Sequence, residues 1–203
     1  MHLCGIDEAG RGPIAGPVTA AAVILSPDLR IEGLADSKTL SARRRGALAR
    51  RICADALAWG VGWASHREID ALNILQATHL AMARAVSSME RALSTRAPLA
   101  RLYRVVVDGS SVPSLRVETT AVVRADATVP EVMAASILAK EARDAWMVAY
   151  DRIDDRYGFA RHKGYPTAEH RRRLTVAGAC PIHRRSFAPV AALYRPDVAA
   201  ETR

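Results

Sequence analysis

The sequence predicts an α/β fold, a mixed β-sheet flanked by helices with a helical C-terminal portion. Three observations carry that expectation. Two strand-like runs come first, strand and helix patterns alternate after them, and from about residue 155 onward the chain turns irregular and basic. With 203 residues, 50% of them hydrophobic, the chain is long enough to bury its own core. One domain spanning residues 1–203 is expected, with the basic stretch of about 155–195 as part of it.

The elements follow in order. Leu3 to Asp7 is a short apolar run ending on a carboxylate, and Val18 to Leu25 is a second strand; the Gly/Pro-rich segment between them marks a turn. Ser41 is placed to cap a helix over ARRRGALARRICADA. Leu57 to Ala64 forms a third strand. Asn73 to Leu93 has helical periodicity, with Leu75, Leu80, Ala83 and Val86 among its apolar positions. Leu102 to Val107 is a buried-strand pattern ending at Asp108, and Val117 to Val123 alternates like a strand. Thr128-Val-Pro-Glu131 has the spacing of a capping box, with Thr128 as N-cap of a long helix from Val129 to about Asp154. A last helix is expected near Thr167 to Ala177. No internal repeat or low-complexity segment is present.

A formal net charge of +8 and a pI of about 10.0 favour a polyanionic partner. They suit a merely basic enzyme equally well. Cys4, Cys53 and Cys180 are odd in number, widely spaced and lack a CxxC, so neither a disulfide framework nor a zinc site is indicated. The longest apolar stretch, roughly Ile14 to Leu25, is too short to span a bilayer and contains Gly16 and Pro17. No basic n-region precedes it. A soluble, cytoplasmic monomer without a membrane partner is the expectation.

Acidic residues close three elements: Asp7-Glu8 after the first strand, Asp108 after the buried strand, and Asp126 before the long helix. In α/β sheets the strand ends are where functional groups converge. An oxygen-only donor set with no His or Cys nearby suits a hard cation such as Mg²⁺ or Mn²⁺. Taken singly, Asp108-Gly109 is equally a turn and Asp126 a helix-initiating residue. Adjacent strand residues also point to opposite faces, so Asp7 and Glu8 share one site only if the strand twists or ends there.

The segments DEAGRGPIAGPV, ADSKTLS, VVVDGS, RADATVPEVMAASILAKEARD, HKGYPTAEH and IHRRSFAPV resemble, in this order, type 2 ribonuclease H, the bacterial ribonuclease HII family. They run from residue 3 to about 190. The resemblance implies a ribonuclease H-like fold with a five-stranded mixed sheet. It implies a metal-binding tetrad of Asp7, Glu8, Asp108 and Asp126, and Mg²⁺ or Mn²⁺ as cofactor. The substrates implied are the RNA strand of RNA/DNA hybrids and duplex DNA containing single ribonucleotides, cut on the 5′ side. Arg124-Ala125 departs from the Lys-Gly that many members carry before the last Asp; the charge is kept and the Asp remains.

The chemistry suits these residues. Phosphodiester hydrolysis needs an activated water and a stabilised leaving 3′ oxygen, and two metals about 4 Å apart supply both. Four carboxylates neutralise such cations, so no side-chain base is obligatory. Glycines let the backbone approach a ligand closely, and a 2′-OH both donates and accepts, which separates RNA from DNA. By resemblance, Gly10-Arg11-Gly12 reads that 2′-OH, Tyr165 packs on the neighbouring deoxyribose, and Lys38 contacts phosphate. From Arg161 to Arg195 eight Lys/Arg stand against one acidic residue, Glu169, a patch suited to phosphates.

Other polar residues have bland readings. His162, His170 and His183 are expected to be solvated or phosphate-facing rather than basic catalysts. Arg43-Arg44-Arg45 is expected to be a solvated helix face, and Asn73 either a cap or a phosphate contact. Ser136, Lys140 and Asp144 lie four apart on one stripe, either as a structural cluster or as support for Asp126. Rival classes fare worse. A type 3 ribonuclease H is expected to carry an extra N-terminal domain and a GKG-type turn. A binding module would not need four carboxylates facing phosphate. No GxSxG elbow or GxxxxGK[ST] loop occurs. No clamp-binding peptide of the QxxLxxFF sort is visible in Tyr194 to Arg203.

Overall fold

The computed structural model describes residues 2–27 and 31–194. The tail beyond Tyr194, where the reading of the clamp-binding peptide falls, lies outside the described residues. The sheet holds β1 (His2–Ala9), β2 (Val18–Ile24), β3 (Ala58–Ala64), β4 (Leu102–Asp108) and β5 (Thr119–Val122) in the order β3-β2-β1-β4-β5. β1 pairs antiparallel with β2, and β2 with β3, whereas β1–β4 and β4–β5 are parallel. This is the mixed five-stranded sheet the sequence predicts. Helices α1 (Ala42–Asp55), α2 (His66–Leu72), α3 (Ile74–Arg96), α4 (Pro130–Asp151), α5 (Phe159–His162), α6 (Ala168–Ala177) and α7 (Ala188–Ala191) complete it.

Side-chain alternation along the strands assigns the layers. Cys4 and Ile6 of β1, with Val18, Ala20 and Ala22 of β2, face α3 through Ala77, Ala81, Met82, Ala85 and Met89. Ala21 and Val23 face the other way, onto Leu48 and Ile52 of α1 and Ala134, Ala135, Ile137 and Leu138 of α4. Small residues let the layers close. A Cβ on Gly62 of β3 would stand 2.1 Å from the Ala81 carbonyl of α3. A third cluster, around Ile14, Met147, Tyr157, Phe159, Leu174, Cys180 and Ile182, docks the C-terminal portion against the segment joining β1 to β2.

Ser41 and Thr167 cap α1 and α6 through their side chains as expected. The Thr128 capping box does not form. Residues Ala125–Ala127 make a 3₁₀ turn whose first carbonyl takes the N–H of both Thr128 and Val129. Thr128 is thereby outside the extended conformation an N-cap requires (φ −128°, ψ −27°). The helix starts one residue later, with Val129 at the cap position and Pro130 in the first turn, where a missing N–H costs nothing. Helix α2 is absent from the sequence-based expectation. Its Ser65 and Glu68 make a reciprocal capping box. Asn73 lies between α2 and α3 and caps α3, its side-chain oxygen accepting from the Leu75 and Gln76 N–H groups. Among the described residues no helix is long and apolar enough to cross a membrane.

Candidate active site

A cleft of about 250 Å³ opens at the C-terminal ends of β1 and β4. Asp7, Glu8, Gly10, Arg11, Gly12, Ser37, Lys38, Asp108, Ser136, Lys140 and Tyr165 line it. Asp126 stands just behind, its backbone N–H 3.4 Å from Asp108 Oδ1 and its Oδ2 3.5 Å from Lys38 Nζ. The structure therefore brings together the predicted carboxylates, the Gly-Arg-Gly turn, Lys38 and Tyr165.

The strand geometry places each carboxylate. Ile6 pairs with Val107 in the parallel ladder, so Asp7 runs beside Asp108, the last residue of β4. Asp7 faces α4 on the side of Ser136, and its Oδ1 accepts from the Glu8 N–H at 2.7 Å. Glu8 faces the other layer, with its Oε1 3.5 Å from Arg11 Nη1. β1 does not end at Asp7; it runs on to Ala9. The pair still lines one cleft because the neighbouring strand stops.

The electrostatics are those of a site built around missing positive charge. Asp7 is only 5% exposed, and burial followed by the adjacent Glu8 raises its pKa well above the usual carboxylate value. Glu8 is raised by burial against the pull of Arg11, and Asp108 by burial and then Asp126. Lys38 loses to burial but gains more from Asp36, Asp126 and Asp7, and its pKa rises. Among the described residues no three Asp, Glu, His or Cys side chains are drawn into a ready-made metal cluster. In donor type the residues fit hard divalent cations: oxygen donors only, on carboxylates that burial and one another hold above their usual pKa although Arg11 and Lys38 stand beside them.

Two residues the sequence reading passed over hold the turn in place. Arg184 is fully buried and donates to the carbonyls of Gly10 (2.6 Å), Arg11 (3.0 Å), Gly16 (2.9 Å) and Pro17 (3.1 Å). Arg143 of α4, 1% exposed, donates to Pro17 (3.0 Å) and Ala15 (3.2 Å). Burial lowers their pKa values, to about 9 for Arg184 and about 10 for Arg143, so both stay charged at neutral pH. Gly10 has φ +100°, and a Cβ there would fall 2.0 Å from Arg143 Nε. A signal existed for Arg143, which sits seven residues after Ser136 on the buried stripe of α4.

Several expectations change. Ser136 touches Asp7 and the Ser37 hydroxyl (2.8 Å) and not Asp126. Lys140 lines the cleft and pairs with Asp144 at 2.8 Å. Arg45 is not solvated; it is 9% exposed and bonds Glu141 at 2.6 Å and Asp144 at 3.5 Å, because that turn of α1 packs on α4. His170 and His183 are buried, at 0% and 2% exposure, and neither is solvated nor phosphate-facing.

A mixed sheet whose parallel pair carries buried carboxylates near its C-terminal end, beside a cationic turn, is the arrangement of the metal-dependent nucleases of ribonuclease H type. The family model for ribonuclease HII matches residues 4–190. The ribonuclease HII of Nitrosospira multiformis is 52% identical over 200 residues, covering 98% of this chain and 96% of the relative. That of Paracidovorax citrulli is 54% identical over 196 residues, covering 97% and 78%. In solved structures, ribonuclease H2 from Pyrococcus horikoshii superposes with a TM-score of 0.71 at 24% identity, covering 95% of this chain and 97% of that one. Bst ribonuclease HIII, solved in complex with Mn²⁺, gives 0.73 at 17% identity, covering 94% and 68%. Both share its fold. The chain belongs to the ribonuclease HII family and is a metal-dependent endonuclease that degrades RNA in RNA/DNA hybrids.

Proposed function

We propose that this enzyme cuts the RNA strand of RNA/DNA hybrids and also incises 5′ of single ribonucleotides embedded in duplex DNA, and so serves ribonucleotide removal and genome maintenance. The observation that carries the reading is that Gly10-Arg11-Gly12 and Tyr165 line the same cleft as Asp7, Glu8 and Asp108. A sugar-reading turn and a stacking aromatic then flank the position of the scissile phosphate. Asp7, Glu8, Asp108 and Asp126 are the metal ligands in this reading. Two bound divalent cations, Mg²⁺ or Mn²⁺, supply activation of water and stabilisation of the leaving 3′ oxygen, leaving 3′-OH and 5′-phosphate ends.

The chain's own groups do the rest. Gly12 brings the turn close to the ring: a Cβ there would already stand 3.4 Å from Tyr165 Cε1, so turn and ring edge the same side of the cleft. The Gly10 and Arg11 carbonyls are engaged by Arg184, which fixes the direction of the turn's remaining backbone groups. Lys38 lines the cleft 3.5 Å from Asp126, where its ammonium is placed to contact the phosphate. Arg11, half exposed beside Glu8, holds the flanking phosphate. Ser136 orients Asp7, and Lys140 with Asp144 keeps that stripe of α4 in register. A monomer acting in the cytoplasm suffices.

The test is a duplex DNA carrying one ribonucleotide, incubated with Mg²⁺, Mn²⁺ or EDTA. Metal-dependent incision 5′ of the ribonucleotide is expected. Cutting of long hybrids with none at the single ribonucleotide would refute the junction activity.

A further inference from the structure

We infer that His162, His170 and His183 form a neutral, hydrogen-bonded scaffold that holds Tyr165, and that His170 and His183 are positioning residues for recognition of the ribonucleotide junction. The inference rests on the reading of Tyr165 given above.

Proton accounting shows that the chain of bonds runs in one sense only. The backbone N–H of Cys180 donates to His183 Nδ1 at 3.0 Å, so that nitrogen carries no proton. Neutral His183 then bears its proton on Nε2, which lies 3.1 Å from His170 Nε2. That nitrogen must accept, so His170 carries its proton on Nδ1, 2.9 Å from the Tyr165 carbonyl it donates to. His162 is fixed independently. Gly164 N–H donates to its Nδ1 at 3.2 Å, leaving Nε2–H to donate to the Tyr157 carbonyl at 2.9 Å. The His162 and His170 rings stack 4.3 Å apart at 15°. Each tautomer is set by a backbone group, and a backbone group cannot reverse its role.

Two of these bonds end on the backbone of one short segment, at Gly164 N–H and the Tyr165 carbonyl. Lys163 has φ +52°, a left-handed conformation that costs a residue with a Cβ, and Gly164 follows at +82°, which a glycine adopts freely. Gly164 passes so near the β1–β2 segment that a Cβ would stand 2.6 Å from the Ala15 carbonyl. Its own carbonyl accepts from Ile14 N–H at 2.9 Å. The Tyr165 carbonyl accepts also from Thr167 N–H at 2.8 Å, closing a ring through the cap of α6. Within the same few bonds Tyr165 is tied to Ile14, two residues beyond the Gly-Arg-Gly turn, on one side and to the histidine stack on the other. None of the three rings lines the cleft, so they act through Tyr165 and not on the reacting atoms.

Two measurements on the full chain test this. Long-range ¹H–¹⁵N correlation at pH 7 should show the Nδ1–H tautomer for His170 and Nε2–H for His162 and His183. Any other tautomer at His170, or a protonated ring, overturns the scaffold, and this measurement needs no variant. The second is a cycle on the ratio of kcat/KM for a single-ribonucleotide duplex to that for a long hybrid. His170→Phe keeps a ring but loses the bond to the Tyr165 carbonyl, and should lower the ratio about five- to tenfold, the scale of one lost hydrogen bond. His170→Asn keeps a donor near the Nδ1 position and should restore most of it. In a Tyr165→Ala background, His170→Phe should lower the ratio no further. A full additional drop there, with Tyr165→Ala lowering the ratio by itself, overturns the positioning role alone. A ratio that Tyr165→Ala leaves unchanged refutes the junction reading of Tyr165 and this role with it.

Discussion

Replacing Arg184 with Met puts a number on the grip that holds the Gly-Arg-Gly turn. The guanidinium, itself fully buried, donates four hydrogen bonds to backbone carbonyls. At a net ~1 kcal/mol each, their loss costs ~4 kcal/mol. The buried thioether arm of Met recovers ~1 kcal/mol of apolar burial, leaving about 3 kcal/mol. For a chain of this size each kcal/mol moves Tm by about 2–4 °C, so calorimetry should find a fall of about 6–12 °C. At 25 °C the variant is still folded, and kcat/KM on a single-ribonucleotide duplex reports the turn. Freed Gly10 and Arg11 carbonyls let it shift by an ångström, a displacement that costs about 100-fold in an oriented reaction. Arg184→Lys should fall between, because one ammonium cannot span four carbonyls. A variant that loses Tm but keeps kcat/KM would show the grip to be purely structural. A variant that keeps both would refute the argument outright.

Three further outcomes are expected. Asp7→Asn should lower kcat by about two to three orders of magnitude while leaving duplex affinity largely intact. It should also raise the metal-free Tm, since the buried charge beside Glu8 is relieved; a lower Tm by differential scanning fluorimetry would contradict that account of the cleft. The His170–His183 pair, whose pKa values burial pushes down to about 4, should make the fold acid-sensitive. The unfolded chain takes up these protons first, near pH 6.5, so stability is fully present above that pH. It falls by up to ~3 kcal/mol per ring as pH drops towards 4. His162 and Asp154 also face the pair. Urea midpoints at pH 7, 5.5 and 4.5 should fall more steeply for the native chain than for a His170→Asn/His183→Gln variant, and parallel slopes would refute the assignment. Gly62→Ala drives a methyl into the α3 backbone and should cost about 3 kcal/mol in chemical unfolding; a loss under 1 kcal/mol would mean that α3 can move away.

How much of this was legible in the sequence depended on what kind of signal each feature left. The strands and α3 carry long apolar patterns, and Ser41 and Thr167 cap helices long enough to show periodicity. Helix α2 has only seven residues, too few for a period to register, although Ser65-His-Arg-Glu68 has the spacing of a capping box. Thr128-Val-Pro-Glu131 has the same spacing and makes no box, because the 3₁₀ turn before it takes the Thr128 N–H. Spacing alone could not separate the two. The carboxylates stand near the ends of elements, Asp108 on the last residue of β4, Asp7 and Glu8 just before the end of β1 and Asp126 in the turn before α4, and the sequence reading placed them there. Arg143, Arg184 and the buried histidines were not, because charged and polar residues read as surface until the partners that bury them are known. For Arg184 those partners are all backbone carbonyls, which leave no mark in a sequence, whereas Arg143 did leave one in its place on the buried stripe of α4.

The same backbone accounting explains why the cleft lies where it does. An acidic pair inside a strand would normally divide between two faces of a sheet, and Asp7 and Glu8 do so: one meets Ser136 of α4, the other Arg11. They reach a common space because β1 and β4 are unequal. β4 stops at Asp108, level with Asp7, while β1 continues to Ala9 with only β2 as its ladder partner. Beyond that level Glu8 stands on a stretch of strand that no β4 residue pairs. The chain then leaves the sheet at Gly10 with φ +100°, a path that buried arginines hold in place. A β4 one turn of the ladder longer would pair with that stretch and wall Glu8 off from Asp7. The early end of one strand, on a residue that is itself a carboxylate, makes room for cations between the two layers, and it sets the sugar-reading turn immediately beside them.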